Sequence, residues 1–252
     1  MDQIIQSQLD YLGMGNLSRN WDVYLKEAAA RKCSYHSFLS TIIIDEYNWL
    51  VQKKRSTRIK RACIPELLTM ETFPFELQPK LKKKLVMELY DSMRYIDESQ
   101  VLCFVGPTGC GKTGLATSYL LHAIDKEYRG KFFDFKDLLR YLHASFADHT
   151  YRSALKQLAS LDCLLLDEVG YAPLDKAHAG IFFELMKARH NKRCTIITSQ
   201  LGFDEWESFI CDRHLTAAIL DRITENCTVF NMSKCISIRK KHITYAAEKT
   251  TV

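Results

Sequence analysis

A run of eight residues in the middle of the chain combines the residue types that bind phosphate groups. It matches the pattern G-x-x-x-x-G-K-[ST] at every fixed position. The glycines allow successive backbone N–H groups to turn toward an anion. The lysine can reach the β- and γ-phosphates of a nucleotide, and the last hydroxyl can bind Mg²⁺. The pattern therefore predicts a site for ATP and Mg²⁺ formed by Gly106, Pro107, Thr108, Gly109, Cys110, Gly111, Lys112 and Thr113, with Gly114 directly behind them.

The residues on both sides of this run predict the strand and the helix that such a loop needs. Residues 101–105 are apolar and partly β-branched, which indicates a strand, and residues 114–121 are typical of a helix. The N-terminus of that helix adds positive potential to the anion site. The motif with both flanking elements is a P-loop, and a chance glycine-rich turn explains it poorly.

Two acidic residues follow a second apolar run and predict the other half of the site. Residues 163–166 form an apolar strand that leads into Asp167 and Glu168. Beside a P-loop, Asp167 can complete the Mg²⁺ shell, and Glu168 can orient and polarise the attacking water. Paired acids also cap turns after strands, but the P-loop upstream favours the catalytic interpretation.

Polar residues end a further apolar strand, which is predicted over residues 194–200. These residues are Thr198, Ser199 and Gln200. The strand would lie beside the P-loop and the acid pair, so one of its last side chains can contact the γ-phosphate or the attacking water. The sequence leaves open which of the three points inward, and a simple turn at the strand end is the alternative.

Two arginines near the end of the chain are candidates for contact with the nucleotide. Arg222 lies in a predicted helix, residues 215–223, where it can pair locally with Asp221 or Glu225. It can instead act as an arginine finger that reaches the γ-phosphate bound by a neighbouring subunit. Arg239 follows a serine and an isoleucine and can contact the nucleotide of its own chain.

The composition is that of an ordinary globular protein of 252 residues, with 47% hydrophobic and 26% charged residues. No apolar run approaches the roughly 20 residues of a membrane span, and the first residues lack the order of a signal peptide. We therefore expect a cytoplasmic protein.

The nine cysteines include no C-x-x-C pair, which disfavours a zinc site or a disulfide framework. The net charge of +5 permits nucleic-acid binding without establishing it.

The order of predicted elements divides the chain into three parts. Residues 1–62 read as helices and predict a small N-terminal helical domain, and residues 63–79 hold three of the five prolines and predict a connector. Residues 80–252 begin with a helix, predicted over 80–95, and then alternate strands and helices. That alternation predicts an α/β fold, a parallel sheet sandwiched by helices. Short strands at 229–230 and 235–238 are expected to extend it.

A basic run, from Lys53 to Arg61, ends the last helix of the N-terminal part. No acidic residue occurs between Glu46 and Glu66. The run can be a solvated helix end whose cations complement the helix dipole, or a surface that contacts DNA phosphates. The sequence does not decide between the two.

Four stretches carry a resemblance to a known family. They are the Phe-Pro-Phe connector at 73–75, residues 167–175, which read D-E-V-G-Y-A-P-L-D, residues 195–200 followed by Phe203 and Trp206, and A-A-I-L-D-R at 217–222. With the P-loop, they make the chain resemble the IstB-like transposition helper ATPases, relatives of DnaC-type helicase loaders in the AAA+ class of P-loop NTPases. The similarity extends over nearly the whole length.

The resemblance implies an ATP-hydrolysing AAA+ protein that forms a homo-oligomer on ATP and duplex DNA and assists the transposase of the same mobile element. It places Arg222 at the arginine-finger position and Arg239 at the sensor-2 position. Gln200 stands where the family usually has the sensor asparagine after Thr-Ser, and it keeps the amide. A DnaC-like helicase loader is the alternative function. A small-molecule kinase is disfavoured, because the sequence has no lid-like insertion with clustered arginines.

Overall fold

The structure is a computed structural model, and it describes residues 1–31 and 33–238. The chain divides into two compact units, Met1–Lys60 and Arg61–Val252. The predicted connector, residues 63–79, lies within the second unit, and the boundaries of the predicted domains stay predictions. No helix in the described ranges has the length and apolar character that a membrane crossing requires.

The first unit is built from helices, α1 (Gln3–Tyr11), α2 (Gly15–Arg31) and α3 (Tyr35–Ala62), the last of which ends just past the unit boundary. Its small core contains Leu9, Leu17 and Ile42. The buried carboxylate of Glu46 accepts hydrogen bonds from the N–H groups of Asn16 and Leu17, at 3.2 and 2.7 Å. An acid in α3 therefore satisfies unpaired donors at the start of α2.

The second unit is a five-stranded parallel sheet between helices, which confirms the predicted fold class. The strands lie in the order β2-β3-β4-β1-β5. The elements are α4 (Lys83–Ser92), α5 (Arg94–Asp97), β1 (Val101–Val105), α6 (Lys112–Asp125), β2 (Gly130–Asp134), α7 (Phe135–Ala147), α8 (Tyr151–Ala159), β3 (Cys163–Val169), α9 (Lys176–Arg189), β4 (Cys194–Ser199), α10 (Trp206–Ile210), α11 (Arg213–Thr224) and β5 (Cys227–Asn231).

Both faces of the sheet are covered, which explains the continuous apolar runs in its central strands. Alternate residues of β1 and β3, such as Cys103 and Leu164, pack in a core with α7 to α11. On the other side Phe104 lies against Tyr119 of α6, with ring centroids 5.8 Å apart. The Tyr119 hydroxyl donates to the Val86 carbonyl of α4 at 2.6 Å, so the buried aromatic group also has a polar partner.

Two predicted elements differ from the structure. The helix predicted at 80–95 is split into α4 and α5, because Met93 adopts a left-handed backbone conformation with φ of +56°. The strand predicted at 235–238 is absent. The N–H of Ile236 donates to the side chain of Gln78 at 3.1 Å, and its carbonyl accepts from the same amide at 2.6 Å. A side chain therefore takes the backbone bonds that a neighbouring strand would have made.

Candidate nucleotide-binding site

The predicted P-loop, the acid pair and the polar end of the strand at 194–200 meet at one edge of the sheet. The P-loop follows β1, the acid pair lies near the end of β3, and Thr198 lies near the end of β4. The strand order places β4 between β1 and β3. Because the carboxyl ends of parallel strands lie at the same edge, three segments that are distant in sequence form a single site.

The backbone of the P-loop requires glycine at defined positions. Gly109 and Gly111 have φ of +82° and +98°, a region that favours glycine, and α6 begins directly after Gly111. Gly106 has a different constraint, because a Cβ at this position would lie 2.7 Å from the carbonyl carbon of Met232. These glycines allow the loop to fold compactly. Its backbone N–H groups and the N-terminus of α6 can then face a bound anion.

Lys112 lies over this loop. Its Nζ donates to the carbonyl oxygens of Gly106 and Pro107, at 2.7 and 2.9 Å. These bonds hold the ammonium group at the phosphate-binding loop and not in bulk solvent. The side chain is consequently positioned to contribute a charge-assisted hydrogen bond to a nucleotide phosphate.

Asp167 is buried and is held by two hydroxyl groups. Thr113 Oγ1 donates to its Oδ1 at 3.0 Å, and Thr198 Oγ1 donates to the same oxygen at 2.6 Å. Burial raises the pKa of Asp167, while the hydrogen bonds from these hydroxyls act in the opposite direction. A carboxylate next to a threonine hydroxyl is the type of oxygen donor set that Mg²⁺ prefers, so the residues fit the predicted metal.

Glu168 differs from its neighbour in exposure and in backbone conformation. It is exposed, and its φ of +61° is unusual for a residue other than glycine. Its N–H donates to Thr198 Oγ1 at 2.9 Å, and its side chain lines the same cavity as the P-loop. An accessible carboxylate at this point can reach a water molecule beside a bound phosphate.

The cavity at this edge has a volume of about 420 Å³, within the usual range for small-molecule sites. One wall consists of the predicted P-loop and acid residues. A second wall was not predicted from the sequence, although Phe73 and Pro74 of the Phe-Pro-Phe connector belong to it. That wall is formed by Glu66, Leu68, Thr69, Thr72, Phe73, Pro74 and Ile238.

Gln78 ties this second wall to the P-loop. Its buried amide donates to the Cys110 carbonyl at 3.1 Å and also bonds Ile236, as described above. The N–H of Ile238 donates to the Gly109 carbonyl at 2.9 Å. The connector, the P-loop and the C-terminal segment are thus linked by hydrogen bonds. Arg239 lies directly after this segment but outside the described residues, so its role stays a prediction.

The three polar residues at the end of β4 have different partners. Thr198 is fully buried and bonds both acids, whereas Ser199 Oγ accepts a hydrogen bond from the Leu201 N–H at 3.0 Å. Gln200 is exposed and lines the cavity. The sensor role predicted for Gln200 stays a prediction.

Arg222 lies away from the nucleotide cavity of its own chain. Its guanidinium carbon is 4.8 Å from the ring centroid of Phe183, and its Nη1 donates to the Ala218 carbonyl at 2.5 Å. It lines a small cavity with Val101 and Asn226, at the amino ends of the strands. The opposite end of these strands carries the P-loop, so Arg222 is not grouped with the other predicted site residues.

The fold and the site define a P-loop nucleotide-binding protein. The sequence matches the family described as IstB-like ATP binding protein over residues 7–246, and the chain belongs to that family. It is 33% identical over 224 residues to the "Insertion sequence IS21 putative ATP-binding protein" of Pseudomonas aeruginosa, with 89% of this chain and 84% of that protein covered. It is 28% identical over 250 residues to the IS5376 putative ATP-binding protein of Geobacillus stearothermophilus, with 99% of each covered.

Solved structures of replication proteins share the fold. The DnaC helicase loader superposes with a TM-score of 0.53 at 24% identity, with 60% of this chain and 87% of that chain covered. AMPPCP-bound DnaA from Aquifex aeolicus superposes with a TM-score of 0.55 at 18% identity, over 68% of this chain and 51% of DnaA. At these identities the similarity shows the fold and does not extend to function.

Substitution of Lys112 tests the phosphate site directly. In Lys112→Ala, we expect ATP affinity to fall about 10- to 100-fold, because a hydrogen bond to a charged group contributes roughly 1.5–3 kcal/mol. Isothermal titration with ATP measures the change. Lys126→Ala is the matched control, since it removes the same charge at the other end of the same helix. Equal ATP affinity in the two variants would contradict the assignment of Lys112.

Proposed function

We propose that this protein hydrolyses ATP, forms a homo-oligomer on duplex DNA and assists the transposase of the same insertion sequence. The observation that carries the proposal is the position of Thr113, Asp167 and Glu168 together at the ATP site. Relatives that match most of this chain have insertion-sequence names, which supports a role in transposition. Hydrolysis, DNA binding and transposase assistance are each open to separate tests.

Each residue of the site has a chemical role in the proposed reaction. The P-loop amides and Lys112 bind the phosphates, and Thr113 and Asp167 would hold Mg²⁺, which neutralises charge on the β- and γ-phosphates when bound. Glu168 accepts a proton from the attacking water and orients it. Gln200 contacts the γ-phosphate or that water, and Arg239 would add a cation from the C-terminal segment.

Glu168→Gln tests hydrolysis separately from binding. The amide keeps the size of the side chain but cannot accept the proton of the attacking water, so we expect kcat to fall by about 100-fold or more. Binding of ATP should stay within about threefold of wild type, because the phosphates are held by other groups. Phosphate release and isothermal titration measure the two quantities.

Asp175, in the segment between β3 and α9, provides a control for this substitution. Asp175→Asn removes a carboxylate that caps α9 and bonds His178, outside the ATP cavity. Its kcat should stay near the wild-type value. Wild-type turnover in Glu168→Gln, with a hydrolytically active wild type, would refute the role of Glu168 as the base.

The basic run on α3 is one candidate surface for DNA. Lys53 and Lys54 are exposed on this helix, and Lys53 Nζ lies 4.6 Å from the ring centroid of Trp49. A second candidate surface is α8 of the AAA+ core, where Arg152 and Lys156 are exposed. Phosphate contacts of this type give binding that is largely independent of sequence and falls steeply with salt.

Salt dependence distinguishes the two surfaces. Each lost phosphate contact should reduce the slope of log K against log salt by about 0.9. If α3 binds DNA, Lys53→Gln with Lys54→Gln should lower the slope by about 1.8, while Arg152→Gln with Lys156→Gln should leave it unchanged. Fluorescence anisotropy with a labelled duplex measures both. If only Arg152→Gln with Lys156→Gln lowers the slope, α8 is the surface that binds DNA. If the wild-type protein does not bind the duplex, the DNA-binding part of the proposal is refuted.

The position of Arg222, outside the ATP cavity of its own chain, supports the proposal that it acts in assembly. A planar guanidinium can pair bidentately with a γ-phosphate bound by a neighbouring subunit, which a lysine cannot do. That contact exists only with ATP, so ATP should favour the assembled state and ADP should release it. In this structure Arg222 contacts the Ala218 carbonyl through Nη1 and the Phe183 ring through its guanidinium face. Its other N–H donors are the groups that would bind the phosphate.

Complementation between two inactive variants tests the contact in trans. Arg222→Ala should bind ATP but lose hydrolysis and ATP-dependent assembly. Lys112→Ala should bind ATP about 10- to 100-fold more weakly, and the assay uses an ATP concentration that leaves its P-loop largely empty. In a mixture, an interface between the intact P-loop of one variant and the intact Arg222 of the other is complete, so part of the ATPase activity should return. An inactive mixture in which the two variants demonstrably co-assemble would show that Arg222 does not act in trans.

A further inference from the structure

Strand β3 contains a β-bulge at the acid pair. Its register with β4 pairs Leu166 with Ile197 and Val169 with Ser199. Between these pairs β3 has two residues, Asp167 and Glu168, while β4 has only Thr198. Two residues of one strand therefore oppose a single residue of the next, which is the defining feature of a bulge.

The bulge changes the backbone at Glu168. A bulge leaves its extra residue outside the regular ladder of hydrogen bonds and bends the strand. Glu168 has φ of +61°, and its N–H donates to the side-chain oxygen of Thr198 at 2.9 Å. Residues 163–167 of β3 are all buried, and Glu168 is exposed and lines the cavity. The strand therefore presents its second carboxylate to the nucleotide site at the position of the bulge.

The hydroxyl of Thr198 bonds both residues of the bulge. It donates its one hydrogen to Asp167 Oδ1 at 2.6 Å and accepts the Glu168 N–H with a lone pair. Thr198 is 0% exposed, so both of its hydrogen bonds are shielded from bulk solvent. No other side-chain type apart from serine supplies a donor and an acceptor on one atom of this size at this position.

We propose that Thr198 is a positioning residue for ATP hydrolysis, which holds the Glu168 backbone in the bulge and orients the Asp167 carboxylate. The inference rests on the proposed hydrolysis and concerns the same site. Thr198 acts through the two acids and not through the phosphates. This role is separate from the predicted sensor role of Gln200. It is also separate from the hydrogen bond that Ser199 Oγ accepts from the Leu201 N–H.

Thr198→Val tests this role with almost no change of shape, because a methyl group replaces the hydroxyl. Loss of a group that orients site ligands typically costs 10- to 100-fold in activity, and we expect kcat to fall by about that factor. The Kd for ATP should change by less than about threefold, since Lys112 and the P-loop amides are intact. Thr198→Ser should restore kcat to within about threefold of wild type.

Thr195→Val is the matched control, because it makes the same substitution on the same strand. Thr195 is also buried, and its hydroxyl accepts a hydrogen bond from Arg189 Nε at 2.9 Å at the opposite end of β4. Thr195→Val loses one buried hydrogen bond and Thr198→Val loses two, but only Thr198→Val disturbs the acids. An equal loss of kcat in the two variants would overturn the positioning role.

Amide hydrogen exchange, measured without nucleotide, tests the hydrogen bond from the Glu168 N–H to Thr198 Oγ1. In Thr198→Val the N–H of Glu168 should exchange at least tenfold faster than in wild type, while Thr198→Ser and Thr195→Val should keep its protection. An unchanged exchange rate in Thr198→Val would overturn the inference, as would wild-type kcat in that variant. If the wild-type protein has no ATPase activity, the proposed hydrolysis is refuted. The exchange rates then test only whether Thr198 holds the Glu168 backbone in the bulge.

Discussion

The ATP site depends on keeping a carboxylate charged in a buried position. Asp167 is 7% exposed, and desolvation of an ionised group of this kind is costly unless hydrogen bonds replace water. The hydroxyls of Thr113 and Thr198 supply those bonds from the P-loop helix on one side and from β4 on the other. The same two bonds connect the start of α6 with the carboxyl ends of β3 and β4. The hydrogen bonds that stabilise one buried charge therefore also fix the geometry of the site.

The second wall of the cavity depends on a different kind of interaction. Gln78 uses its amide to bond backbone groups of the P-loop and of the C-terminal segment at once. Glycine at position 111 lets Phe73 of the connector approach the P-loop closely, since a Cβ there would lie 2.6 Å from the Phe73 ring. The P-loop is therefore enclosed by segments that lie before and after the sheet in the chain, and the phosphate site and the rest of the cavity are built together.

The parts of the fold that sequence predicted well are those governed by local patterns. Continuous apolar runs predicted β1, β3 and β4, because strands covered on both faces need no polar alternation. The same kind of pattern gave a wrong prediction at residues 235–238, because apolar residues there resemble a short strand. Its backbone bonds go to the side chain of Gln78, about 160 residues earlier in the chain, which a local pattern cannot indicate.

The sequence by itself determined the chemistry of the site, because the P-loop and the Asp-Glu pair have fixed spacing within single segments. Sequence also determined the α/β class, through the alternation of strands and helices. Only the tertiary structure decided how the segments meet. The bulge in β3, the left-handed backbone of Glu168 and the two bonds of Thr198 arise from the register between β3 and β4. Register is a property of paired strands, and it is set by packing between residues that are distant in the chain.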